Sequence, residues 1–354
     1  MPNPRNHRTR FGETLSSALP EVRTGPSGAT AGYASRHGAA VTSAQLGIVD
    51  GPDLDPAGER VALGIEAFAL LDLPVPPDFG APGSRRQILV DAGRGVVAYT
   101  VAAVAASGSG EVVRMSNAAL GRLLLDEPPR SPVDVTADIL GRCELMETAV
   151  LRSCANVAVI APHGGSIERA TGAQAERVAS DGRFRADSWI CEGPGGGAFR
   201  RWHITSDDLS EGSFAGLRAL LGTPHDLAVS FHGFSDIAGL DVIVGGLLDD
   251  EVRRRVRDEL ERRLTAVLGR PAIVLLAMSG NDPHPGRARD NVVNRLAALG
   301  GLQIEQGLVL RSTRDAPGVV ADVVSDWLAT LAPLTPSEGP MGNSPAGQLA
   351  YDDE

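Results

Sequence analysis

The chain predicts an α/β fold over its C-terminal half, a mixed and mostly parallel sheet flanked by helices, preceded by a small β-rich module. Three observations predict it. The runs Asn156–Ile160, Asp226–Phe231 and Ala272–Met278 are apolar almost throughout, the pattern of strands covered on both faces. They alternate with helical periodicity: Val252, Val256, Leu260, Leu264 and Leu268 recur at every fourth residue, after Asp249 or Asp250 as N-cap and before Gly269 as terminator. The stretch before residue 140 has short β-rich runs separated by Gly and Pro turns, the texture of a small barrel.

The elements follow in order. Residues 1–45, rich in Arg, Ser, Gly, Pro and Thr, read as a disordered arm. In the module at 46–139, Leu63–Leu71 suits strand or helix, Arg86–Asp91 and Gly95–Val101 flank a turn, and Glu111–Met115 is a further strand. Asn117 is placed to cap a helix over Ala118–Leu124, and Val133–Val135 follows as a strand. The α/β domain spans 140–335; in it Leu302–Glu305 is a short strand, and a last helix from about Pro317 to Leu331 is expected to bury Val319, Val320, Val323, Val324, Trp327, Leu328 and Leu331. Residues 336–354 read as a disordered acidic tail.

Composition narrows the function classes. The sequence contains Arg but no Lys, which excludes a Walker P-loop and a lysine Schiff base. A net charge of −11 disfavours nucleic acid as a partner. No apolar run reaches the roughly 18 residues of a membrane span. The polar, basic start lacks the apolar core of a signal peptide, so the expectation is a cytoplasmic protein, with release by another route left open. Three cysteines, Cys143, Cys154 and Cys191, include no CxxC pair and are expected to fill the interior.

The chemistry concentrates at strand ends. His163-Gly164-Gly165-Ser166-Ile167-Glu168 follows the run Asn156–Ile160, and His232-Gly233 follows Ala228–Phe231. Two imidazoles and a carboxylate are the ligand types of a catalytic zinc site with an open position for water. A lone His after a strand is more often a hydrogen-bonded loop residue, but Glu168 shares its loop, His232 repeats the pattern and Glu305 ends a later strand. In such sheets sites form beyond the carboxyl ends of strands. A carboxylate that is not a ligand can then carry the proton from water to the leaving group. Arg295, on a short helix upstream of Glu305, is the candidate oxyanion or carboxylate partner.

His163–Glu168 resembles the HGGxIE signature of the poly-γ-glutamate hydrolase family, which includes phage depolymerases and has a fold similar to the zinc carboxypeptidases. Four more segments resemble that family in the same order: Trp202–Ser206, Ser230–Gly233, Asn291–Arg295 and Gly301–Glu305. The resemblance covers about residues 150–332 and leaves the N-terminal module outside. It implies one Zn2+ per chain, held by His163, Glu168 and His232. It implies Glu305 as general base and acid, Arg295 as a catalytic and substrate-binding group, and Asn294 and His203 as substrate-binding groups. The chain departs from the family at Asp207–Glu211 and in the loop Asn281–Asp290, which carries His284.

The expected function is zinc-dependent hydrolysis of an amide, γ-glutamyl in type, with a peptide or γ-glutamyl amide as substrate. One alternative keeps the site but takes a small N-acyl amino acid or peptide, as a carboxypeptidase-like deacylase. Another class is a catalytically inactive binding protein. A closed pocket with one Arg favours the small substrate, and a broad Arg-lined groove favours the polymer. The sequence leaves the oligomeric state open.

Overall fold

The computed structural model describes residues 32–34, 42–105, 110–141, 144–235 and 237–331. Strand β1 (Gly32–Ala34) belongs to the larger of two sheets. Next come β2 (Ser43–Asp50), β3 (Arg60–Leu63), β4 (Arg86–Asp91), β5 (Val96–Val104), β6 (Val112–Met115) and β7 (Val133–Thr136). They close into a barrel in the order β2-β6-β3-β5-β4-β7. The remaining strands are β8 (Met146–Val150), β9 (Val157–Gly165), β10 (Ala186–Gly193), β11 (Leu227–Phe234), β12 (Val242–Gly246), β13 (Val274–Leu276) and β14 (Gly301–Gly307). The eight-stranded sheet runs β1-β8-β10-β9-β11-β14-β12-β13. Its centre, β10-β9-β11-β14, is parallel; β8 and β12 run antiparallel to it, and β13 pairs parallel to β12. This is the predicted mixed, mostly parallel α/β sheet, with a β-rich module before it.

Several details differ from the expectation. Gly32–Ala34 lies inside the stretch read as a disordered arm, yet pairs with β8, and the barrel begins at Ser43. The rest of that arm, His7, His37, Cys143 and the tail from residue 332 lie outside the described residues. Leu63–Leu71 is both strand end and helix, since Gly64 caps a helix over Ile65–Leu70. Ser116, not Asn117, caps the helix Asn117–Arg122, its Oγ accepting from the Ala119 amide. Cys191 is buried as expected, whereas Cys154 is exposed. Among the described residues no helix is long and apolar enough to cross a membrane.

Strand alternation explains how the layers stack. Along β9, Val157, Val159 and Ala161 face a core formed with the helices Thr171–Ala179, Asp250–Leu268 and Ala316–Leu331. Ala158 and Ile160 face the other way, into a core that holds Trp189, Trp202 and Phe214. Both faces are dry, so the strand reads as one apolar run. The barrel shares the second core. Along β5, Val97, Tyr99 and Val101 fill the barrel interior, while Val96 and Ala98 point outward into the α/β layer, joined there by Leu89 of β4. Burying a Leu or Val side chain contributes about 1.5–3 kcal/mol, so Leu89 and Val96 together give about 3–6 kcal/mol, which reaches only the low end of an ordinary domain's stability.

Polar contacts set the register of this junction. Arg60, the first residue of β3, donates to both oxygens of Asp208 at 2.8 and 3.1 Å, and Arg85 reaches the same carboxylate. Gln87 of β4 donates to the Asp208 carbonyl at 2.7 Å. Arg122 donates to the carbonyls of Arg200 at 2.9 Å and His203 at 3.0 Å. The Asp208 side chain is wholly buried, so its removal would leave two guanidinium groups at the junction without their counter-charge. Asp208→Ala is therefore expected to destabilise the chain by about 3 kcal/mol, measured by denaturant unfolding; a loss under about 1 kcal/mol would contradict this role.

Candidate metal centre

The site begins with a break in the sheet. Pro162 has no N–H to give to a ladder. The pairing of β9 with β11 ends at Ile160 and Ser230, and the register of β9 against β10 shifts just beyond Ala161. Such a bulge bends the strand and re-aims its side chains. Gly164 and Gly165 then run so close to β10 that a Cβ would meet Glu192 Cγ at 2.9 Å and the Gly193 carbonyl at 3.0 Å; Gly165 also holds φ at +67°. The loop closes on itself, with the Glu168 amide donating to the His163 carbonyl at 2.8 Å and the Thr171 hydroxyl to the Glu168 carbonyl at 2.8 Å. Glu168 is thereby folded back beside His163.

Three buried side chains meet there. His163 Nδ1 lies 3.1 Å from Glu168 Oε1 and 3.2 Å from His232 Nδ1, and His232 Nδ1 lies 3.6 Å from Glu168 Oε2. His163 Nε2 is 2.8 Å from the Ile204 carbonyl, which can only accept, so the neutral ring carries its proton on Nε2 and its lone pair on Nδ1. That lone pair faces a carboxylate and a second imidazole. The arrangement is repulsive until a proton or a metal ion sits between them. Without metal, a proton does so: burial opposes charge on His163, but Glu168 outweighs it and raises the pKa. The same pairing overcomes burial to hold Glu168 well below the usual carboxylate range, and the Gly233 amide donates to its Oε2 at 2.9 Å. His232 Nε2 is buried with no hydrogen-bond partner among the described residues. Two imidazole nitrogens of intermediate softness and one carboxylate, turned toward one another with no proton of their own between them, fit a divalent metal of the zinc type.

Glu305 stands beside this cluster. It pairs in register with His232 across β14 and β11, so both side chains leave the same face of the sheet. Gln303 donates to its Oε1 at 3.0 Å. Burial, reinforced by Glu168, pushes its carboxyl up to about 7. His203 packs over the cluster from the other side, its ring 4.2 Å from that of His163 and stacked on Phe199 at 4.4 Å. Its Nε2 lies 3.6 Å from Glu168 Oε1. Donor atoms of His163, Glu168 and His203 fall within 4.8 Å of one another, so His203 is a second candidate for the third ligand. Both histidines place a ring nitrogen 3.6 Å from Glu168, and His232 Nδ1 is also 3.2 Å from His163 Nδ1.

All five residues line a cleft of ≈580 Å3. Two expected residues do not. Asn294 is tied into backbone: its Oδ1 accepts from Leu247 and Gly301, and its Nδ2 donates to Gly286 and Ala288. Arg295 donates to the Leu209 carbonyl at 2.7 Å and pairs with Glu211. Both brace the loops behind the cleft, and neither is among the residues that line it, where both were expected to meet substrate. The guanidinium on the cleft wall is Arg287, in the loop that departs from the family pattern, with His284 stacked on Phe234 nearby. Glu59, from the barrel, also lines the cleft. Its carboxyl is buried, yet the hydrogen bond and charge of His203 hold it below its ordinary range. Neither Arg287 nor Glu59 has a motif signal, because each reaches the cleft through long-range packing.

The Glu305 shift has a consequence for stability. Its pKa rises from an ordinary 4.5 to about 7 on folding, so folding favours the protonated acid. Stability is then full below about pH 4.5 and falls as pH rises through 7. In metal-free protein Glu305→Gln is expected to change little at pH 4.5 and to stabilise by roughly 3 kcal/mol above pH 8, read by urea unfolding. An equal effect at both pH values would show that Glu305 is not a buried acid of this kind.

Residues 146–314 match the family described as Poly-gamma-glutamate hydrolase. The match bears out the resemblance carried by the motifs and points to a hydrolase. Among solved structures the chain is similar to a bacteriophage poly-gamma-glutamate hydrolase, at 22% identity over 54% of this chain and 91% of that one, with a TM-score of 0.42. It is similar to the zinc-free apo form of YNDL, at 20% identity over 52% and 90%, with a TM-score of 0.41. A Pseudomonas aeruginosa metallo-carboxypeptidase in complex with (2-guanidinoethylmercapto)succinic acid follows at 16% identity over 70% and 80%, with a TM-score of 0.33. No curated protein matches the chain.

Proposed function

We propose that this chain is a zinc-dependent amide hydrolase of the poly-γ-glutamate hydrolase type, with His163, Glu168 and His232 as metal ligands and Glu305 as general base and acid. One observation carries the reading: two imidazole nitrogens and a carboxylate converge within 3.1–3.6 Å in a buried cleft, beside a second acidic group, Glu305, that is not part of the cluster. When bound, zinc polarises a carbonyl oxygen and acidifies water.

The chain's own residues do the rest. Ile204 holds His163 in the tautomer that presents Nδ1. Glu168 supplies the negative charge, and the Gly233 amide fixes its orientation. Glu305 accepts a proton from the attacking water and returns it to the leaving nitrogen, so the amide C–N bond breaks to give a carboxylate and an amine. Its raised pKa suits it to hold that proton near neutral pH. Arg287, whose Nη1 also donates to the Gly246 carbonyl at 3.3 Å and lies 3.7 Å from Asp250, is the guanidinium on the cleft wall that a substrate carboxylate would meet. A γ-linked glutamate leaves its α-carboxylate free, which matches that group.

The alternative with the same site, a carboxypeptidase-like deacylase of a small N-acyl amino acid or peptide, gains from one feature. Among the described residues the cleft is lined by a single guanidinium, that of Arg287.

Zinc content and hydrolysis decide between these readings. Wild type is expected to hold about one zinc per chain and His163→Ala none. Glu305→Gln is expected to keep zinc and lose about 10²–10⁴-fold in kcat. No stoichiometric zinc after add-back overturns the mechanism. Zinc without cleavage of poly-γ-glutamate, short γ-glutamyl peptides or N-acyl amino acids leaves a binding protein.

Arg287→Ala is expected to raise KM about tenfold or more on carboxylate-bearing substrates with kcat little changed. An unchanged KM would remove Arg287 from substrate recognition.

A further inference from the structure

The barrel lies outside the matched family segment, yet one of its carboxylates enters the cleft. Glu59 precedes β3, and its amide is held by Asp55 Oδ1 at 3.0 Å. Its Oε1 lies 2.5 Å from His203 Nδ1, and its Oε2 accepts from the Thr205 amide at 2.8 Å. Arg122, also from the barrel, donates to the His203 carbonyl at 3.0 Å. The segment His203–Thr205 is therefore gripped by the barrel on both sides of Ile204, whose carbonyl fixes His163.

A carboxylate only accepts, so Glu59 puts the His203 proton on Nδ1. Nε2 is then a bare lone pair. It lies 3.6 Å from Glu168 Oε1, and the ring is clamped between Phe199 and His163. A carboxylate that orients an imidazole toward a metal is a general arrangement for raising ligand basicity.

We infer that Glu59 is a positioning residue supplied by the barrel: it fixes the tautomer of His203 so that Nε2 faces the His163–Glu168 cluster as an additional donor. The barrel is then part of the catalytic centre rather than an appended module. The donor role rests on the proposed metal site; the tautomer does not.

Glu59→Gln tests this without changing shape. The Thr205 amide can only donate, so the new side chain must turn its oxygen to Thr205 and its NH2 to His203 Nδ1. Nδ1 becomes an acceptor, and the ring proton moves to Nε2. In full-length protein labelled with 15N-histidine, the ring shifts of metal-free wild type are expected to show His203 protonated on Nδ1, with His203→Asn providing the assignment. Glu59→Gln is expected to show the Nε2 tautomer and about 10–100-fold weaker zinc binding in a chelator competition. Glu59→Asp, which keeps an accepting carboxylate, is expected to retain the wild-type tautomer. A wild-type ring protonated on Nε2 overturns the inference without any variant. So does a Glu59→Gln ring that keeps its Nδ1 proton, or a tautomer change that leaves zinc affinity within twofold. If wild type binds no zinc, the hydrolase reading fails by itself, and the two tautomers still decide the positioning role.

Discussion

The hydrogen bond from His163 Nε2 to the Ile204 carbonyl is the constraint on which the centre depends. It is a bond to backbone, so its geometry is set by how the segment after the helix Ala198–Trp202 is laid down. With the proton committed to Nε2, Nδ1 has no proton of its own to offer Glu168 or His232. Every other feature of the cluster answers that fact. The carboxylate stays ionised, the second imidazole is pressed against the first, and the cavity concentrates acceptors where a cation is needed. The bulge after Ala161 and the close approach of Gly164 and Gly165 to β10 aim the ring.

Two carboxylates in one cleft are driven in opposite directions by their neighbours. Glu168 touches imidazoles and a backbone amide, and is held ionised. Glu305 has only a neutral amide for a close partner and is buried, so it keeps its proton to about pH 7. Such a split separates a ligand from an acid–base group without any difference in side-chain length. The separation rests on packing: His232 and Glu305 sit side by side across parallel strands, and only their remaining contacts distinguish their surroundings.

Much of this was legible in the residues. The long apolar runs marked β9 and β11 because both of their faces are dry, and Asp249 and Gly269 marked the ends of a helix that does run between them. His163, Glu168, His232 and Glu305 could be singled out because each lies at or just beyond a predicted strand end. Other elements were less visible. β8, with the alternation of one exposed face, and β12, only five residues ending in two glycines, carry weak periodic signals. Asn294 and Arg295 sit within a recognisable motif, but a motif gives chain position and not the direction of a side chain. Here both point into backbone and Glu211. Glu59 could not have been found, since its partner is 144 residues away and no local pattern marks a carboxylate that will be buried against a distant histidine.

The alternation along β5, inward to the barrel and outward to the α/β layer, gives the centre a history as well as a shape. Every barrel strand precedes His163 in the chain. During synthesis the N-terminal unit leaves the ribosome first, and such units tend to fold as they emerge. The loop-closure cost of a contact between residues 59 and 203 is then met by a preformed surface rather than by two disordered ends finding one another. The barrel serves as an intramolecular template: its outward Val96, Ala98 and Leu89 wait as a partial core, and the later strands complete a layer that already exists.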